Sequence, residues 1–394
     1  MTESWFIELL KGVGRFFLNP VLYWAVILVI LTGYKRIKQE RLSFGFKVFD
    51  LFSEWRRTWP VSVIFGLIIS AVTIGAGMVF SLETILLLAI VTIVLSLSLR
   101  LTMLSPVYTI GITFLLVLVM PLVLQNQSLI NPELFEAVDL EGLALLSGIL
   151  LAAEAFLLRR QTRRHTFPAL ELSRRGNWMG VHHLKKMALI PFFVLIPTGS
   201  IPEMASFWPY FSINNETYSL VLIPFLLGCD HVVRSELPEK AAANAAKWTY
   251  MLSLFVLLLA LGGIYAGWLS LVAVAAGIIG RELIHYRHRV TDQVKTPYFQ
   301  RHERGIQVLA VIPGTPADRL GVTVGEVITK VNGKSIDTIE AFYYALQDSG
   351  AFFKLTVVDD NGEVRFVQSA LYEEDHHELG IITVDKPYHN NKSA

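Results

Sequence analysis

Charge is what this chain has little of. Only 17% of its 394 residues are Asp, Glu, Lys or Arg, against about 25% in soluble domains. With 53% hydrophobic residues and a mean hydropathy of +0.50, a wholly soluble protein is excluded. Cysteine is nearly absent: the single Cys229 excludes an intramolecular disulfide and a cysteine-based zinc site. Catalytic signatures are missing too. There is no H-E-x-x-H, no G-x-S-x-G and no G-x-x-x-x-G-K-[ST], which removes an intramembrane zinc-protease centre, a hydrolase nucleophile elbow and a P-loop. No basic patch with interleaved aromatics points to nucleic acid. Residues 1–15 lack a basic leader and a small-residue cleavage site, so no removable signal peptide is expected. The chain reads as a non-enzyme without cofactor or metal.

The charge that is present is divided unevenly. Residues 1–299 hold 25 Lys/Arg and 19 Asp/Glu, a net +6, whereas residues 300–394 hold 9 and 14, a net −5. A greasy portion is therefore joined to a soluble one. A bilayer crossing needs about 20 apolar residues as helix. Nine segments meet or approach this: 16–34, 60–80, 82–99, 103–124, 140–158, 187–207, 217–233, 246–267 and 268–285. The segment 187–207 is interrupted by Pro191, Pro197 and Pro202 and reads as kinked or re-entrant. Between these segments, 22 Lys/Arg fall on one face and only Lys11 and Arg15 on the other, so the basic face is expected in the cytoplasm. Its largest loop, 159–186, contains Arg159, Arg160, Arg163, Arg164, Arg174 and Arg175. These contact either anionic lipid, the default for such clusters, or an acidic partner. Residues 1–15 place Trp5, Phe6, Leu9, Leu10 and Val13 at helical spacing, as in a helix lying at the membrane interface.

Within the greasy portion, Glu154 lies deepest among the acids. It is either a functional intramembrane carboxylate or a partner of Arg159 or Arg160. Cys229-Asp230-His231 is too short a motif to indicate a nucleophile or metal. A transporter would need Glu154 or proline-broken helices to face a cavity.

From residue 300 the pattern changes to short strands and turns. Gly305–Val311 reads as a strand ended by Pro313-Gly314. Thr315–Leu320 reads as a short helix ended by Gly321, and Val327–Val331 as a strand closed by Asn332-Gly333. An amphipathic helix is expected over 338–348, a hairpin of Phe353–Val358 with Val364–Ser369 around Asp360-Asn361-Gly362, and a last strand at Ile381–Val384.

Val311-Ile312-Pro313-Gly314-Thr315-Pro316-Ala317, then Gly321-Val322 and Val324 through Gly333, resemble a bacterial PDZ domain. The resemblance covers about 90 residues and implies a small, partly open β-barrel with two helices that adds an extended peptide as a strand. Glu378-Leu379-Gly380-Ile381 supplies an x-Φ-G-Φ carboxylate loop at the end of the domain, implying a circularly permuted strand order. The groove strand is then Ile381, Ile382 and onward, with Leu379 and Gly380 in the loop. On the helix, Ile339, Tyr343 and Leu346 share the facing side, a stripe that equally serves as core, while Phe342 is expected in the core. Ile339, where many relatives carry His, argues for an apolar ligand position. Glu373, Glu374, Asp375 and Glu378 form either an acidic rim favouring basic upstream ligand residues or a solvated edge.

The whole layout is then 1–15 interfacial, 16–289 a polytopic α-helical domain of about seven to nine transmembrane helices, 290–299 a linker, 300–386 the PDZ domain and 387–394 a tail. It resembles the MinJ-like family of cell-division topological determinants of Gram-positive bacteria. Ile7-Glu8-Leu9-Leu10-Lys11, Gly33-Tyr34-x-Arg36-Ile37-Lys38 and Glu378–Ile381 carry the local similarity. The resemblance implies a membrane adaptor at septa and poles. Its partners would be DivIVA and the MinC–MinD inhibitor, with other divisome membrane proteins and lipid as further contacts. A transporter, or the regulator of an intramembrane protease, is the rival class.

Overall fold

Asparagine, serine and aspartate set the helix starts. Asn19 accepts the Val21 N–H at 3.0 Å before Pro20 opens its helix, Ser81 accepts from Thr84, and Asp139 accepts from Gly142 at 2.6 Å, each satisfying an amide that the first turn leaves open. In the computed structural model, which describes residues 2–124, 138–173, 175–201, 217–302, 305–350, 352–370, 379–384 and 388, the helices are α1 (Thr2–Phe16), α2 (Pro20–Phe44), α3 (Trp59–Ala76), α4 (Leu82–Ser96), α5 (Pro106–Leu124), α6 (Leu140–Arg159), α7 (Pro238–Gly263) and α8 (Trp268–Val294). A 3-10 turn, Leu101–Leu104, precedes α5. Among the described residues, α2, α3, α6, α7 and α8 are long and apolar enough to cross a membrane, and α4 and α5 are shorter apolar helices. Their outer faces expose large apolar side chains, such as Ile64, Leu67 and Ile68 on α3 and Leu254, Phe255 and Leu258 on α7. A water-facing surface rarely carries so contiguous an apolar area.

Two of the nine expected spans are not helices. β2 (Trp178–Ile201) and β3 (Tyr218–Val233) form a long antiparallel hairpin, with Pro191 opposite Pro224, and β1 (Phe167–Leu172) pairs with the start of β2. A strand buried on both faces is a continuous apolar run, which hydropathy cannot separate from a helix. Backbone buried away from water must find its partners within the protein, and the open edge of β2 does so against α3. The Ser70 hydroxyl accepts the Phe193 N–H at 2.8 Å, and Thr73 donates to the Phe193 carbonyl at 2.6 Å. Farther along, Leu195 and Phe80 exchange backbone bonds with Met78 and Leu195. Pro191 needs no amide partner. Opposite it, Gly66 brings α3 so close that a Cβ would collide with the Pro191 carbonyl.

α1 lies against β2 and β3, with most of its apolar side chains turned away from them. Glu8 is buried, taking a short bond from Ser219 and pairing with Lys11 at 2.9 Å, while Phe6, Leu9, Leu10 and Val13 point outward.

Past α8 the chain forms β4 (Ile306–Gln307), β5 (Ala310–Val311), α9 (Pro316–Arg319), β6 (Val327–Val331), β7 (Lys334–Ser335), α10 (Ile339–Asp348), β8 (Phe352–Val358), β9 (Val364–Ala370) and β10 (Ile381–Ile382). One sheet has the order β4-β6-β8-β9 with β7 on β6, and β10 pairs with β5 in a second. The strand expected over Gly305–Val311 is thus two: the Val308 N–H reaches Glu326 at 2.8 Å, while that of Leu309 turns to Ile382 at 2.7 Å. Asn332-Gly333, both at positive φ, close the β6–β7 turn.

This domain is docked on the rest of the chain. Phe49, Phe167, Leu237, Phe299, Leu309 and Ile382 belong to one buried cluster at the junction. The Gly180 N–H donates to Phe299 at 2.9 Å and the Tyr298 N–H to Arg234 at 2.8 Å.

Candidate peptide-binding groove

The alternation of a strand decides which side chains meet here. Leu379 and Ile381 turn into the core of the C-terminal domain, where Leu346 and Phe342 are buried and Ile339 and Tyr343 half-buried against them. Ile382, expected in the groove, points to the opposite face and is buried in the junction cluster instead. The correction follows from the pleat: a neighbour of Ile381 in an extended strand cannot share its face.

β10 is hydrogen-bonded to β5 on one edge, and no described strand covers the other. A cleft past the end of β10 is lined by Ile306, Asp337, Ile339, Glu340, Thr383 and Val384; of the expected groove residues it contains Ile339 alone. An open strand edge next to a helix is the geometry for adding a peptide as a further strand, with backbone bonds for affinity and side-chain pockets for selectivity. Thr338 caps α10, accepting the Ala341 N–H at 3.2 Å, which fixes where Ile339 enters the cleft.

The loop before β10 is held tightly. The Gly380 carbonyl accepts from Ile312 at 2.9 Å and that of Leu379 from Ala317 at 3.0 Å. Gly380 has φ +81°, and a Cβ there would strike Thr315. Glycine is required on both counts. Glu373, Glu374, Asp375 and Glu378 lie outside the described residues.

The six loop arginines divide. Arg163 grips Asp360 with both ends of its guanidinium, at 3.0 and 3.1 Å, and also meets Glu239 at 3.2 Å. Lys240 adds a contact to Asp360 at 3.3 Å, and Arg164 lies 3.7 Å from Asp318. These two arginines therefore face the C-terminal domain of their own chain. Hydrogen bonding from Arg163 holds the Asp360 carboxyl below the usual carboxylate range. Arg159, Arg160 and Arg175 are exposed, and Arg174 lies outside the described residues.

Sequence reasoning treated Asp360 as a turn residue and Arg36 as one topogenic cation among many. Arg36 is buried between Glu40 (2.6 Å) and Glu54 (2.7 Å), with the Phe167 ring 4.6 Å below. Glu40 in turn accepts the Val48 N–H at 2.8 Å, shaping the loop whose Phe49 reaches the junction. The Arg36/Glu40 spacing of four was the available signal; nothing local marked Glu54.

In the helical shell, Glu154 and Arg281 form a fully buried ion pair. Ser105 donates to Glu154 at 2.5 Å, and Arg281 reaches Thr249 at 3.1 Å. Neither Arg159 nor Arg160 is the partner. Cys229, Asp230 and His231 diverge. The thiol is buried, Asp230 lies 3.5 Å from His183 and 3.7 Å from Lys185, and His231 stacks on His285 at 4.8 Å. Among the described residues no group of His, Cys, Asp and Glu is arranged to hold a metal.

A family model for the PDZ domain matches residues 307–359. Over 385 residues, 98% of this chain and 97% of the relative, the chain is 33% identical to the cell division topological determinant MinJ of Bacillus subtilis (strain 168). It is 22% identical over 385 residues, 93% of this chain and 96% of the relative, to a probable cell division topological determinant MinJ of Lacticaseibacillus paracasei. A shorter similarity, 38% over 60 residues or 15% of this chain, is to the putative protease Do-like 14 of Arabidopsis thaliana.

Proposed function

The chain belongs to the family of the cell division topological determinant MinJ, and from that premise we propose that it is a multi-pass membrane adaptor of division-site selection. Its cytoplasmic PDZ domain binds a protein partner, and the whole chain bridges the polar scaffold DivIVA to the MinC–MinD inhibitor at septa and poles. The observation that carries the reading is the open edge of β10 beside α10, a place for a peptide strand and not for bond-making chemistry. The shorter similarity to a Do-like protease spans 15% of this chain, and a PDZ module serves binding in either setting.

The groove residues are Leu379, Gly380, Ile381, Ile339, Tyr343 and Leu346, and an apolar terminal side chain is the favoured ligand because the facing cluster is apolar. Arg159 and Arg160, exposed at the end of α6, contact lipid or partner. The buried Glu154–Arg281 pair, closed by Ser105 and Thr249, favours a structural role over a transport site.

A fluorescent fusion of the full chain tests the reading. Enrichment at septa and poles, lost when residues 300–394 are deleted, is the expected result, together with co-capture of DivIVA and MinD. Uniform membrane fluorescence of the intact chain would sink it.

A further inference from the structure

The groove does not end at the PDZ domain. A peptide added antiparallel to β10, its carboxylate at Leu379-Gly380, runs with its upstream residues toward Thr383 and Val384. There the cleft is continued by Gln300 and Arg301, which together with Val384 also line a second, larger cavity of about 870 Å³. The far wall of that cavity is not PDZ at all. It is the β1–β2 turn, with Arg175, Trp178 and Met179, and the end of α8 with Lys295.

Its charge is one-sided. The two acids in the lining are already engaged: Glu171 accepts from Arg234 at 2.8 and 3.1 Å, and Asp292 accepts the Arg234 and Ser235 N–H groups at 3.0 and 2.8 Å. Arg175, Lys295 and Arg301 are exposed at the cavity and appear in no described ion pair. Among the described residues, three cations face this opening without an acid of its lining set against them, while Asp337 and Glu340 line the smaller cleft that leads to it.

We propose that the binding site is composite: the PDZ groove takes the carboxy-terminal residues of a partner, and the membrane domain's β1–β2 turn with the α8 end takes an acidic segment immediately upstream. This rests on the groove reading above and adds a specificity that an isolated PDZ domain would not have. It also reverses the basic upstream preference that residues 373–378 suggested from sequence. The dock through Gly180, Phe299 and Ile382 holds the two halves of the site in register.

The test uses the full chain in phosphatidylcholine nanodiscs and a displayed peptide library with randomised free carboxy termini. Behind each terminus stands a block of about six residues, roughly 20 Å of extended chain, rich in Glu, in Ser or in Lys. Glu-block peptides should bind about three- to tenfold tighter than Ser-block peptides sharing the same terminus, the scale of two exposed ion pairs, and Lys-block peptides more weakly. Arg175→Ala combined with Lys295→Ala should erase most of that gain and leave Ser-block binding unchanged. Equal binding of all blocks overturns the composite site while leaving the groove intact. No binding of any terminus overturns the groove and the composite site together. A Glu-block gain that vanishes in phosphatidylglycerol nanodiscs assigns the cations to lipid headgroups and also overturns it.

Discussion

Reversing one charge at the tip of the β8–β9 turn should loosen the PDZ domain from the membrane domain. Asp360 is held by both ends of the Arg163 guanidinium at 3.0 and 3.1 Å and by Lys240 at 3.3 Å. The carboxylate is 12% exposed and Arg163 22% exposed, so the pair lies between a solvated ion pair and a buried, charge-assisted one. A contribution of about 1–2 kcal/mol to docking is reasonable. Asp360→Arg removes it and sets three cations together. The docked state should lose at least that much, a shift of about 5- to 30-fold or more in the docking equilibrium. Two amides report it directly, because Gly180 donates to Phe299 and Tyr298 to Arg234 across the junction. Hydrogen exchange at these amides, in full-length protein in nanodiscs, should accelerate by that factor while the amides of β6 and β8 stay protected. Adding Arg163→Asp to the same chain should restore much of the protection, since the pair then re-forms with its two charges exchanged. Unchanged exchange in Asp360→Arg would show that the apolar cluster around Phe299 and Ile382 docks the domain unaided and that the ion pair is incidental.

Lowering pH acts on the same contact. The Asp360 carboxyl is depressed by Arg163 in the docked state, so its contribution is present above the ordinary value near 4 and is lost as pH falls through the docked one. The protection factor at Gly180, which is the exchange rate corrected for its intrinsic base catalysis, should thus be flat above about pH 5 and fall only in acid. Gly380→Ala should abolish carboxy-terminal peptide binding while thermal unfolding of the membrane helices is little changed, because both φ +81° and Thr315 oppose a Cβ. Arg281→Met leaves Glu154 buried without its cation and should cost about 3–5 kcal/mol, read as a lowered unfolding temperature in detergent. Joining it to Glu154→Leu should recover most of the loss, and failure of the double variant to recover would show that the hydrogen bonds to Ser105 and Thr249, not the stranded charge, carry the cost. Ser70→Ala strands the Phe193 amide and should destabilise by about 1–3 kcal/mol in the same assay.

How much of this could be read from residues alone depended on whether the signal was local. The C-terminal domain is a chain of local signals: Asn332-Gly333 for a turn, Thr338 before an amphipathic helix, Asp360-Asn361-Gly362 between alternating strands. Each reappears as an element within a residue or two. The β2–β3 hairpin has no such signal. Its residues satisfy hydropathy as well as any span. What makes them strands is the company they keep: Ser70 and Thr73 one turn apart on α3, Gly66 allowing close approach, and Pro191 where an amide would go unpaired. Pro191 and Pro197 within 187–207 were the visible hint, since a strand edge covered by a helix tolerates them where a helix interior does not.

The site shows the same division on a smaller scale. The x-Φ-G-Φ run identified where a carboxylate loop lies, but a two-residue strand has two faces, and sequence spacing does not say what the second face meets. Ile381 faces the helix that would flank a ligand, and Ile382 faces Phe299 of the linker and Leu237 and Phe167 of the preceding domain. The strand that would receive a partner is therefore also part of the joint that fixes the domain to the membrane. Any ligand that shifts β10 along its axis must disturb the junction cluster, because adjacent residues of an extended strand move together. Binding and docking are in this sense one mechanical unit, and the basic loop, expected to meet either anionic lipid or an acidic partner, supplies through Arg163 and Arg164 the polar half of the same joint.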